Sequence, residues 1–118
     1  MSDEGPLFEC EDANGVTVVQ LLVKDLRQPA QAAELGEQLV ALITSGHTRL
    51  LINFASLGYM GSTGFAMLLV LARKLKERGG QLRFCSMREE VRFGANILGL
   101  GSVVPTYDDE DSALADFA

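Results

Sequence analysis

The sequence contains no tryptophan, one histidine, two cysteines and three prolines in 118 residues. The cysteines, Cys10 and Cys85, have no C-x-x-C spacing and no histidine beside them, which excludes a zinc site; they are expected to be buried free thiols. The lone histidine, His47, precedes Ser62, and Met60 stands where a G-x-S-x-G elbow needs its first glycine, so no hydrolytic triad assembles. No G-x-x-x-x-G-K-[ST] occurs, and "GLGS" at Gly99 to Ser102 follows a helical pattern instead of a strand, which removes both phosphate-cradling motifs. No cofactor or metal is expected, and the chain reads as a non-enzyme.

Long apolar runs are also missing. The longest, "FAMLLVLA" from Phe65 to Ala72, stops at Arg73, far short of the ~20 residues of a spanning helix. The acidic start "MSDEGPLFECED" lacks the basic and apolar regions of a secretory signal, so a cytoplasmic protein is expected. Ten basic residues against sixteen acidic ones give a net charge of -6, and the one basic cluster, Arg73 to Arg78, reads as the solvated face of a helix. A phosphate backbone would be repelled, which argues against nucleic acid as a partner.

What is present is an alternation of two periodicities. "LFECEDA" meets Asn14-Gly15, a pair suited to a type I′ turn, and the β-branched "VTVVQLLV" follows; this predicts a hairpin. Pro29 opens a helix with Ala32, Leu35, Leu39, Leu42 and Ile43 on one face, closed by Gly46. "TRLLINFA" has the continuous apolar centre of a strand buried on both faces. From Thr63 or Gly64 a helix with Phe65, Leu68, Leu69, Ala72 and Leu75 on one side runs to Gly79-Gly80. "QLRFCS" predicts a strand whose Ser86, three residues before Glu89, forms a capping box for a helix carrying Val91, Ala95, Ile97 and Leu98. "SVVPTY" supplies a last strand, and "DDEDSALADFA" a terminal helix with acids at its positive end.

The order β-β-α-β-α-β-α-β-α specifies an α/β fold with a mixed, mostly parallel sheet, an antiparallel N-terminal edge strand and about four helices. One domain over residues 1–118 is expected, with the first few residues flexible. Leu51, Phe54, Leu68, Leu69, Leu82, Phe84 and Val91 are expected to share one core.

Between the central strand and the second helix lies "GYMGSTGF", with Ser62 and Thr63 adjacent between two glycines. Ser62 can serve as the N-cap with Thr63 beginning the helix. The free amides and dipole that favour a cap would equally favour a phosphate. Two large side chains, Tyr59 and Met60, stand in this glycine-flanked loop, where a purely structural turn is more often polar.

"LLINFASLGYMGSTGFAMLLVLARKLKERGGQLRFCS", followed by "VRFGANILGLGSVVPTYDDEDSAL", resembles the STAS domain of anti-sigma-factor antagonists, with its D-S-[ST]-G loop, glycine pair and late G-L, over about Val16 to Leu114. The resemblance implies a bacterial regulatory protein-protein interaction domain that exchanges between an anti-sigma factor, itself a serine kinase, and other STAS-binding regulators. Its switch would be phosphorylation of Thr63, with Ser62 the second choice. The docking surface would be the loop of Asn53, Gly58, Tyr59, Met60, Gly61, Ser62, Thr63 and Gly64. Two acids usual in the family are absent, since Gly61 stands for the loop aspartate and Asn53 for an aspartate at the strand end. The alternative is a non-switching STAS adaptor, as in a stressosome-like scaffold or a lipid-transport ABC system. Either would be a monomer or weak dimer without membrane insertion.

Overall fold

The computed structural model describes residues 5–117, so the expectation about the first few residues lies outside the described ones. Strands β1 (Phe8–Ala13) and β2 (Val16–Leu21) form the expected hairpin, with Asn14 and Gly15 both at positive φ, 55° and 87°. Helix α1 (Pro29–Thr44) begins with its proline in the first turn, and Gly46 follows it at φ 109°. Strand β4 (Arg49–Asn53), helix α2 (Ser62–Glu77), strand β6 (Gln81–Cys85), helix α3 (Glu89–Ile97), strand β7 (Thr106–Tyr107) and helix α4 (Glu110–Ala115) complete the alternation. The main sheet runs β1-β2-β4-β6-β7, antiparallel at β1 and parallel elsewhere, as the sequence predicts.

Two further strands were not legible in the pattern. β3 (Asp25–Leu26) and β5 (Tyr59–Met60) pair in parallel as a separate two-residue ribbon. Strands this short carry no period, so "KDLRQ" and "GYM" read as loop.

Each crossover moves one strand further along the sheet in the same direction, which places α1, α2 and α3 on one face. There Leu50, Ile52, Leu82 and Phe84 meet Leu35, Leu39, Leu68, Leu71 and Val91. Phe54 and Phe84 pack edge to face with ring centroids 5.1 Å apart. The opposite face belongs to α4, whose buried Ala113 sits with Val16, Val18, Leu51 and Cys85.

The single core expected from sequence is therefore two. Leu51 lies between Leu50 and Ile52, and the two-residue period of a strand sends it to the α4 side. Leu69 is half-buried, because the buried face of α2 centres on Phe65, Leu68, Leu71 and Leu75. Cys10 is exposed, since β1 is an edge strand, whereas Cys85 is buried. Ser86 does not cap α3: its N–H stays in the sheet with the Tyr107 carbonyl at 3.1 Å, its φ is 62°, and Arg88 takes the N-cap position. Of the apolar residues expected on α3, Val91 and Ala95 are buried, whereas Ile97, its last residue, and Leu98, its C-cap, are exposed.

Leu71→Ala is expected to cost about 2–5 kcal/mol and Leu69→Ala about 1–2 kcal/mol, read as denaturant midpoints at constant slope. Equal losses would contradict the assigned helix face. Burial pushes the Cys85 thiol up to about 11, above its ordinary value near 9. The unfolded chain thus loses that proton first, so stability is full below about pH 9 and falls as pH rises through about 11. Cys85→Ala should flatten that fall; an unchanged pH profile would exclude the thiol as its source.

Candidate functional site

Parallel strands deliver their connecting loops to one edge of the sheet, beyond the carboxyl ends, and the hydroxyl pair lies on that edge. β4 ends at Asn53, which is buried. Its Oδ1 accepts the Ala55 N–H at 2.9 Å, and its Nδ2 donates to Glu110 Oε1 at 2.9 Å. The Phe54 N–H still reaches the Cys85 carbonyl at 3.0 Å, and the Leu57 N–H turns back to the Phe54 carbonyl at 2.9 Å.

The stretch that follows is held from both ends of its ribbon. Gly58 N–H donates to the Lys24 carbonyl at 2.9 Å, and Gly61 N–H to the Leu26 carbonyl at 3.1 Å. Strand alternation then divides Tyr59 from Met60: Met60 is buried in the core, while Tyr59 is 48% exposed. The Arg27 guanidinium lies 4.7 Å from the Tyr59 ring centroid and also bonds Asp25, with Nε donating to Oδ2 at 2.8 Å. That contact, chiefly the hydrogen bond from Arg27, holds the Asp25 carboxyl below its usual range.

Helix α2 starts one residue earlier than expected. Gly61, not Ser62, is the N-cap, at φ -85° and ψ 179°, and no side chain caps the helix. Its carbonyl accepts the Gly64 N–H at 3.0 Å and the Phe65 N–H at 3.3 Å. Ser62 and Thr63 are the first two helical residues, both exposed. Neither hydroxyl has a hydrogen-bond partner among the described residues.

The glycines around them differ in kind. A Cβ on Gly64 would stand 2.4 Å from Met60 Cγ, so this glycine is what lets Met60 tuck beneath the helix. A Cβ on Gly61 would meet nothing closer than 3.6 Å, and its backbone is one that any residue adopts.

Sequence reasoning missed several neighbours of this loop. Arg88 Nε donates to the Ala55 carbonyl at 2.9 Å from the start of α3. α3 also packs against the first turn of α2, since a Cβ on Gly94 would lie 2.7 Å from Phe65 Cζ. Its outward side carries Phe93 and Ile97, 66% and 68% exposed and four residues apart. Sequence reasoning names Ile97 on this helix but passes over Phe93, which shares its side. His47 sits at the other end of β4, where its Nδ1 pairs with Thr17 Oγ1 at 2.9 Å, so no imidazole stands beside Ser62. No group of three or more His, Cys, Asp or Glu suited to a metal occurs among the described residues, and no helix there is long and apolar enough to cross a membrane.

Residues 12–113 match the STAS domain family. The chain belongs to that family. A relative from Bordetella bronchiseptica, named "Putative anti-sigma factor antagonist BtrV", is 30% identical over 88 residues, covering 75% of this chain and 76% of the relative. Among solved structures, an anti-sigma factor antagonist from Mycobacterium paratuberculosis superposes with a TM-score of 0.81 at 24% identity, over 92% of this chain and 90% of that one. The Bacillus protein SpoIIAA in its phosphorylated form superposes with a TM-score of 0.69 at 22% identity, over 92% and 96%. The two structures share this STAS fold, with its mixed sheet and antiparallel first pair.

Because Gly61 is an uncapped N-cap with room for a side chain, Gly61→Asp should fold and gain stability. A carboxylate there can accept from the first-turn amides and face the positive helix end, a gain of about 0.5–1 kcal/mol, or ~2–5 °C in Tm. A drop in Tm would show that the position requires glycine after all.

Proposed function

We propose that this STAS domain acts as an anti-sigma-factor antagonist, docking its partner through the Tyr59–Gly64 edge and being switched by phosphorylation of Thr63 by a partner serine/threonine kinase. The observation that carries the reading is the exposed, unbonded Thr63 hydroxyl in the first turn of α2, on the edge where the strand loops gather. The name of the Bordetella relative supports the antagonist role, and SpoIIAA offers a STAS fold that is phosphorylated. The exposed Tyr59 ring, with Phe93 and Ile97 exposed on α3, supplies apolar surface for a partner in the cytoplasm.

A phosphate on Thr63 would extend outward from the helix, near first-turn amides that no side chain caps. It adds nearly two negative charges to a chain of net charge -6, so it acts on the partner's face and leaves the fold as it is. Ser62, equally exposed, is the second choice for modification. The non-switching adaptor keeps one specific observation in its favour: Gly61 and Asn53 replace the two family acids, and Asn53 is already engaged with Ala55 and Glu110.

The test uses the full chain with an anti-sigma factor serine kinase recovered with it by affinity capture from the native cell. The kinase should add one phosphate to the wild type and none to Thr63→Ala. Thr63→Glu and Tyr59→Ala should each weaken binding by about tenfold or more, while Thr63→Glu leaves Tm within ~2 °C of wild type. Wild-type binding by both variants would sink the docking assignment. Weak binding by Tyr59→Ala together with no phosphate transfer would favour the adaptor.

A further inference from the structure

Asn53 is 8% exposed, and both the oxygen and the nitrogen of its side chain are engaged. One oxygen takes the Ala55 N–H and one amide hydrogen goes to the Glu110 carboxylate, each at 2.9 Å. Only one orientation of the amide satisfies both, because a backbone N–H can only donate and an ionised carboxylate can only accept. A single side chain thus joins the first turn after β4 to the first turn of α4.

α4 has six residues, too few to hold helical form without packing. It is fixed by the Asp109 cap to the Ser112 N–H at 2.8 Å, by Ala113, by the half-buried Leu114 and Phe117, and by the bond from Tyr107 to Asp116. Beneath it lie Val16, Val18, Leu51 and Cys85. Asn53 and Cys85 are register partners on adjacent strands, so the residue that ties α4 to the loop stands next to a thiol that α4 covers.

We propose that Asn53 is a positioning residue coupling the loop that leaves β4 to α4, so that the arrangement of that loop at Ala55 and the closure of α4 over the second face of the sheet shift together. Linkage makes the coupling reciprocal: whatever moves the loop changes the opening of α4, and whatever lifts α4 loosens the loop by the same factor. An aspartate at position 53 could accept from Ala55 but could not donate to Glu110, so the coupling belongs to the asparagine of this chain. It concerns residues 53 to 55 and 110, and stands whether or not Thr63 carries a phosphate.

The test takes the full chain with Cys10→Ser, which leaves Cys85 as its sole thiol. Iodoacetamide alkylation of Cys85 reports the opening of α4, and hydrogen exchange at the Ala55 amide reports the loop. Asn53→Asp is expected to speed alkylation about tenfold or more, by losing one buried hydrogen bond and placing two carboxylates together. Adding Glu110→Gln, which reverses donor and acceptor, should return the rate to within about threefold of the parent. Glu110→Ala should speed exchange at Ala55 about tenfold, because Asn53 is the residue that bonds both. Urea midpoints of every variant set the rate that global unfolding alone would give. Unchanged Ala55 exchange in Glu110→Ala, no rescue by Glu110→Gln, or alkylation no faster than global unfolding predicts would each overturn the coupling.

Discussion

A strand covered on both faces can carry polar side chains only at its ends, and β4 is such a strand. Leu50 and Ile52 fill the helix side, Leu51 fills the α4 side, and all three are fully buried. Polar chemistry therefore begins at Asn53, where the strand leaves the core. An unpaired amide there would cost more than an ordinary hydrogen bond contributes, so its two partners are a requirement of the burial as well as a feature of the loop. The position of the site follows from that constraint. Parallel neighbours β2 and β6 end at the same edge, and the loops that leave them supply Asp25, Arg27 and Arg88 around the residues after Asn53.

The loop itself is built by an exchange of volumes. Met60 points inward and needs the space a side chain on Gly64 would take; Tyr59, its neighbour in β5, is thereby turned outward onto Arg27. Pairing with β3 fixes the backbone of both residues. A surface presented in this way loses little conformational freedom on docking, because its large side chain is already placed by the strand and by a stacked guanidinium. The hydroxyls of Ser62 and Thr63 come after this anchored segment, on a helix whose first turn is held by Gly61 and Met60.

Much of this was legible in the sequence, and the failures have physical causes. The β-branched and apolar runs, Asn14-Gly15, Pro29 and Gly46 mark the hairpin, the alternation of strands and helices and the limits of α1 because each signal is local. The hydroxyl pair lies where the pattern changes from strand to helix, although Tyr59 and Met60 before it form β5 and not loop. Whether Leu51 joins Leu50 depends on which side of a doubly covered strand it faces, and a continuous apolar run hides that alternation. Ser86 satisfied the spacing of a capping box, but its N–H was already engaged with Tyr107, a partner 21 positions away. The β3–β5 ribbon, the Arg27–Tyr59 stack and the Asn53–Glu110 bond share this character: each joins residues distant in sequence and leaves no period behind.

Charge decides what a modification on this edge could do. Arg27 is bonded to Asp25 and stacked on Tyr59, Arg88 is bonded to the Ala55 carbonyl, and Arg92 pairs with Asp108 at 3.0 Å. Each of these cations holds its partner through one side-chain nitrogen, so a phosphate on Thr63 that met one of them would share the guanidinium with the existing contact. Exposed ion pairs are weak, and a shared one offers little net gain. The phosphate would then remain largely uncompensated, facing solvent or partner, and its free-energy effect would fall on the complex and not on the domain. A partner surface that is apolar or acidic would lose affinity; one with a free arginine opposite Thr63 would gain it. The sign of the proposed switch would thus depend on the partner's residues, and the weakened binding proposed for Thr63→Glu corresponds to a partner face that is apolar or acidic.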